Sequence, residues 1–105
     1  MPLTKSFKET VQARAGRDPA FREALLTEGV EALLGGDLET GKAVLRDYIN
    51  ATIGFEQLAD ATGTPSKSLM RMFGPRGNPN ARNLFSVLGE LQKESGVNLH
   101  VEVER

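Results

Sequence analysis

The sequence predicts a mainly α-helical fold, a bundle of short helices with a short C-terminal β-strand. Three observations carry this. Apolar residues recur at three- and four-residue steps from Phe21 to Leu91. Helix-start residues (Asp18-Pro19, Asp37, Asn80) and glycine stops (Gly35-Gly36, Gly54) bracket those runs. After Gly96 the period changes from helical to two.

Taken in order, residues 3 to 15 carry Phe7 and Val11 four apart, a faint helical signal. Asp18 is placed to cap the next helix, with Pro19 pre-set for its first position. Phe21, Leu25, Leu26, Val30, Leu33 and Leu34 then form its expected inward face. Asp37 is placed to cap a third helix, with Glu39 in the first turn favouring the dipole. Leu38, Leu45, Tyr48, Ile49 and Thr52 are its periodic positions, and Gly54 stops it. Asn80 is placed to cap a final helix whose Leu84, Phe85, Leu88 and Leu91 are expected to face inward. In the tail, Val97, Leu99, Val101 and Val103 alternate with Asn98, His100, Glu102 and Glu104, the pattern of a strand with one apolar face. A lone strand leaves its backbone groups unpaired, and no second strand is legible, so pairing with another chain is expected.

A chain of 105 residues fits one domain with an extension. Its net charge is −1, so any nucleic-acid contact must come from a local patch. There is no cysteine, which excludes a disulfide framework, a thiol nucleophile and a thiolate metal site, and fits a reducing cytosol. Met1 to Val11 lacks an apolar core segment, so no signal peptide is expected, and no run reaches the length of a membrane span. No phosphate loop, catalytic triad spacing or metal cluster is present, so neither an enzyme nor a cofactor is expected. His100, the single histidine, has no second ligand at a useful spacing and reads as a surface or interface residue. Tyr48 reads as core.

The stretch "LADATGTPSKSLMRMFGPRGNP", Leu58 to Pro79, holds the chemistry. Between Gly63 and Asn83 stand four cations, Lys67, Arg71, Arg76 and Arg82, and no acid. The spacing from Phe55 to Phe73 matches two helices joined at Gly63, a helix-turn-helix. Leu58, Leu69 and Met72 pack the two together, and small Ala59 permits a close crossing. Ser66 is placed to cap the second helix. The outward set is Ser66, Lys67, Ser68, Met70 and Arg71, donors and cations suited to base edges in a major groove. In the loop "GPRGNP", Gly74 and Gly77 let the backbone approach something closely. Arg76, Asn78 and Arg82 suit phosphates there.

On Gly54, Leu58-Ala59, Thr62-Gly63, Ser68-Leu69, Arg71, Gly77-Asn78-Pro79 and Leu84/Val87-Leu88, the chain resembles the lambda-repressor-like helix-turn-helix class. Within that class it looks most like the addiction-module antidote (antitoxin) proteins of bacteria, over about residues 37 to 103. The resemblance implies a homodimeric regulator that binds double-stranded operator DNA and represses its own operon. It also implies a partner toxin resembling a messenger-RNA-cleaving ribonuclease. The chain departs from the wider pattern at Phe55, where many relatives carry a Gln that braces a phosphate.

The expected organisation is an N-terminal helical extension over residues 1–36 and a DNA-binding domain over 37–105 that ends in a dimerisation strand. The expected function is a cytoplasmic, sequence-specific transcriptional regulator of a toxin–antitoxin pair. The alternative is a protein-interaction module, working through residues 3 to 53, with little or no DNA binding.

Overall fold

A computed structural model describes residues 3–105, and side chains from residue 9 onward. The side chain of Phe7 therefore lies outside the described residues. Six helices follow one another: α1 (Leu3–Arg17), α2 (Pro19–Leu34), α3 (Leu38–Ala51), α4 (Phe55–Thr62), α5 (Ser66–Met72) and α6 (Ala81–Ser95).

The caps expected at Asp18, Asp37 and Asn80 form. The carboxylate of Asp18 accepts the Phe21 N–H at 3.2 Å, and that of Asp37 accepts the Thr40 N–H at 3.1 Å. The amide oxygen of Asn80 accepts the Asn83 N–H at 2.8 Å. These bonds satisfy amides that a helix start leaves without partners. They also favour the ionised acids: the Phe21 N–H holds Asp18 below the usual carboxylate range, and Thr40 does the same for Asp37. The α1–α2 corner is tied by Arg22, which donates to the Ala15 carbonyl at 2.8 Å, and by Arg14, which lies 4.5 Å over the Phe21 ring.

One core draws on all six helices, from Ala15 through Leu26, Leu45, Ile49, Leu58, Leu69 and Phe73 to Leu91. The α2–α3 crossing is its closest joint. Gly29 and Gly41 face it, and each touches a leucine of the opposite helix. A Cβ on Gly41 would stand 2.8 Å from Leu33 Cγ and 3.2 Å from the Gly29 carbonyl. Helices α1 and α2 thus share their core with α3, across the expected boundary at residues 36 and 37.

Three expectations are corrected. Leu34 and Phe85, read as inward, are 67% and 66% exposed. Each helix turns about 100° per residue, so Leu34 falls roughly 100° from Leu33, and Phe85 roughly 100° from Leu84. Both sit outside the buried stripes, and Val87 takes the inward place on α6. The C-terminal β-strand is absent: among the described residues no strand is formed. A strand needs a ladder partner, and this chain supplies none. Instead α6 side chains hold the start of the tail. Ser95 Oγ accepts the Val97 N–H at 3.3 Å, and Gln92 Oε1 accepts the Leu99 N–H at 2.8 Å. Leu99 packs against the core, while Val101 and Val103 stay exposed.

Gly41→Ala should destabilise the fold by about 1–3 kcal/mol, because the added methyl displaces Leu33 from a close-packed joint. A urea titration reads this as a lower midpoint with an unchanged slope; an unshifted midpoint would mean that α2 and α3 are free to separate.

Candidate nucleic-acid interface

Helices α4 and α5 are joined by Thr62-Gly63-Thr64-Pro65. Gly63 takes φ +77°, a left-handed conformation that side-chain-bearing residues adopt at a cost, and its N–H closes α4 on the Ala59 carbonyl. Thr62 Oγ1 donates back to the Leu58 carbonyl at 2.8 Å. Leu58 and Leu69 are fully buried between the two helices, with Ala59 half-buried beside them. Phe55 begins α4 inside the core, its ring 6.4 Å from that of Phe73 and tilted by 53°. The residue that departs from the repressor pattern is thus a packing residue in this chain.

Leu69 fixes the outward direction of α5. At 100° per residue, Lys67 and Arg71 straddle the direction opposite Leu69, and Met70 lies beside them. All three are exposed. Ser66 and Ser68 lie on the flanks and are half-buried. Ser66 does not cap α5. The cap position falls on Pro65, without a side-chain hydrogen bond, and Ser66 Oγ donates to Glu56 Oε2 at 3.0 Å. A proline immediately before a helix fixes the chain's entry without help from a side chain. The bond to Glu56 also brings one carboxylate against a segment whose own sequence holds none.

Arg76 and Asn78 in the loop and Arg82 in the first turn of α6 are exposed. Among the described residues, Lys67, Arg71, Arg76 and Arg82 enter no ion pair. Exposed cations without ion pairs cost less to bring against a phosphate backbone than cations already neutralised within the fold. The Asn83 amide at the start of α6 is taken by Asn80, so it is not open to a phosphate.

What Gly74 and Gly77 approach is the protein itself. A Cβ on Gly77 would overlap the carbonyl oxygens of Arg71 and Met72, so the loop folds back over the end of α5. Two α3 side chains pin it there. Lys42 is 2% exposed, and its Nζ donates to the carbonyls of Gly74 at 3.0 Å and Gly77 at 2.7 Å. Glu39 stands 3.3 Å away as its counter-charge. Arg46 donates to the Phe73 carbonyl at 2.9 Å. The sequence reading passed over Lys42 and Arg46. The available signal was position: Lys42 falls four after Leu38 and three before Leu45, a lysine on the apolar face of an amphipathic helix. Such a lysine is kept only where its charge is met.

Family models, curated proteins and solved structures contain no match to this chain. Among the described residues no helix is long and apolar enough to cross a membrane.

Lys42→Met keeps length and apolar stem but takes the charged donor from the part-buried Gly77 carbonyl and leaves the Gly74 carbonyl with the Gly77 N–H alone. It should cost about 1.5–3 kcal/mol, the worth of hydrogen bonds to a charged group. Hydrogen exchange should also speed up at the Gly77 amide, which donates to the Gly74 carbonyl. Unchanged stability and unchanged exchange together would show that the loop holds itself.

Proposed function

We propose that this chain is a sequence-specific DNA-binding regulator that docks as a two-fold dimer, with α5 in the major groove. The observation that carries the reading is the mounting of α5: fixed inward by Leu69, stopped behind Gly63, and presenting Lys67 and Arg71 outward without ion pairs. Lys67, Met70 and Arg71 contact base edges or adjoining phosphates, with Ser66 and Ser68 at the sides. Arg76, Asn78 and Arg82 hold phosphates. For a two-fold reader, the two α5 helices stand about 34 Å apart, one duplex turn. The antidote role, with a ribonuclease-like toxin as partner, rests on the sequence resemblance alone, and a small toxin-like gene beside this one is its test.

The interaction-module alternative has less to work with. Among the described side chains of α1 to α3, Leu34 is the one large apolar group left exposed. Val11, Phe21, Leu25, Leu26, Val30, Leu33, Val44, Leu45, Tyr48 and Ile49 of these helices serve the shared core.

Gel shifts with DNA from upstream of the gene, against scrambled DNA of equal length, test the reading. Equal affinity for both, or none for either, sinks it. Lys67→Ala and Arg71→Ala should each lose affinity for the operator more than for scrambled DNA. The expected loss is about 1–3 kcal/mol for a bidentate base contact. Equal losses on both DNAs would confine these residues to phosphate contacts.

Arg76→Ala should behave differently. It should weaken binding to every sequence alike and reduce the slope of log affinity against log salt by about one unit, the share of a single phosphate. An unchanged slope in a salt titration would mean that Arg76 touches no phosphate.

A further inference from the structure

Helices α2 and α6 each carry an apolar group about 100° away from the buried stripe. On α2 this is Leu34, one turn after half-buried Val30, which also packs against the core, and on α6 Phe85. With Leu88 and the tail residues Val101 and Val103 they line a groove of about 710 Å³. The tail side of its apolar lining is well exposed, Val101 at 76% and Val103 at 78%. Exposed apolar surface of this kind, beside a tail with no partner strand, leaves both the side chains and the backbone unsatisfied by the chain itself.

We propose that the tail of a second copy covers this groove, paired antiparallel with this chain's own tail about a two-fold axis at Val101. The proposal rests on the two-fold reading above and makes no use of DNA.

The free edge of the tail points to a strand as the occupant. In an extended chain, successive residues direct their N–H and C=O groups to opposite edges. The Leu99 N–H is committed to Gln92 of α6. In an extended tail the edge carrying Asn98, His100 and Glu102 is thereby turned away from α6, and among the described residues no backbone hydrogen bond is made beyond Leu99. Those are the groups that a ladder partner takes up.

Complementarity between the His100 imidazole and the Glu102 carboxylate points to a second copy and sets the register. Opposite residues in a ladder share a face, so a two-fold axis must pass through a residue. An axis at Val101 places His100 opposite Glu102 of the second copy, twice by symmetry, and Leu99 opposite Val103 of the second copy. An axis at Glu102 would set two carboxylates against each other, and an axis at His100 would set two imidazoles together with no carboxylate opposite either. A carboxylate opposite an imidazole can accept a hydrogen bond from its ring N–H, whereas like charges opposite each other destabilise. His100 and Glu102 already share one face within the chain, 3.9 Å apart. An axis perpendicular to the ribbon also returns each face to itself. Both copies then present Leu99, Val101 and Val103 on the same side, and the ribbon lies over both grooves.

The chain has no cysteine, so single cysteines report the register directly. With the axis at Val101, the two Val101 positions form a non-hydrogen-bonded pair with Cα atoms about 4.5 Å apart, within disulfide reach. The two Val103 positions are offset by four residues, roughly 13 Å along the strands, and are out of reach. Under mild oxidation V101C should give about tenfold more covalent dimer than V103C, as the reach of a disulfide requires. Sedimentation of the full chain should show a dimer, and Val101→Asp should weaken it about a hundredfold by removing two buried valines. Val101 is exposed in the single chain, so circular dichroism should show unchanged helix in each variant. A wild-type chain that stays monomeric, V103C that cross-links as readily as V101C, or Val101→Asp that dimerises like wild type would each overturn the proposal. A Val101-paired dimer that ignores DNA supports the pairing and sinks the DNA reading. DNA binding by a chain whose V101C does not cross-link overturns the pairing and leaves the DNA reading standing.

Discussion

The buried ammonium of Lys42 is the tie on which the arrangement of the second half of the chain depends. It reaches from α3 across to the carbonyls of Gly74 and Gly77, at 3.0 and 2.7 Å. A nearly fully buried cation is costly unless charge and hydrogen bonds meet it. Here two carbonyls and Glu39 do so, and the carbonyls lie just beyond the end of α5, where the helix dipole is negative. The same charge therefore closes α5, folds the Gly-Pro-Arg-Gly loop back over it, and fastens both to the three-helix N-terminal half. Arg46 adds a second tie at Phe73. The loop that carries Arg76 and Asn78 is thus a clamped segment, and the start of α6 is placed by it.

The aromatic pair of Phe55 and Phe73 belongs to the same joint. Phe73 ends α5 and is fully buried, its carbonyl held by Arg46 and its ring against Phe55 at the start of α4. The first residue of α4 and the last turn of α5 are thereby fixed to each other. This bracing comes from packing, which acts with or without a ligand. The angle between α4 and α5 is thus set before any partner arrives, and an interface set in advance pays less ordering entropy on binding.

Much of the local architecture was legible in the sequence because it follows from local rules. Asp18, Asp37 and Asn80 cap where their positions demand, and Gly63 takes the left-handed turn. The buried stripes follow helical spacing through Leu45, Ile49, Leu69 and Leu91. What was missed is long-range or depends on angle. Lys42 acts across more than thirty residues of sequence, and no local pattern names the carbonyls it will meet. Leu34 and Phe85 were assigned inward because they adjoin true core positions, yet one residue is a rotation of about 100°. Ser66 lost the cap to Pro65, a shift of one residue at a helix end, where boundaries are least certain. The tail alternates as a strand should, but alternation specifies only a face; the ladder requires a partner that a single chain does not contain.

Helix α6 links the two surfaces that the chain leaves open. Its first turn carries Arg82 beside the clamped loop, and its last turn passes through Gly96 into the tail, with Gln92 holding Leu99. A two-fold contact made through the tail would therefore act on the basic surface through one rigid element of 15 residues rather than through a flexible linker. A helix of that length spans about 22 Å. The whole body measures 39 × 37 × 26 Å. Two such bodies sharing an edge separate equivalent surface points by distances comparable to one duplex turn, about 34 Å. In the proposed dimer, its geometry and the groove spacing would be one constraint: a change that rotates the tail on Leu99 and Gln92 would rotate the α5 helices with it. Helix α6 carries Arg82 in its first turn and lines the apolar groove from Phe85 to Gln92, so a single element can couple how two copies meet to how far apart their basic faces stand.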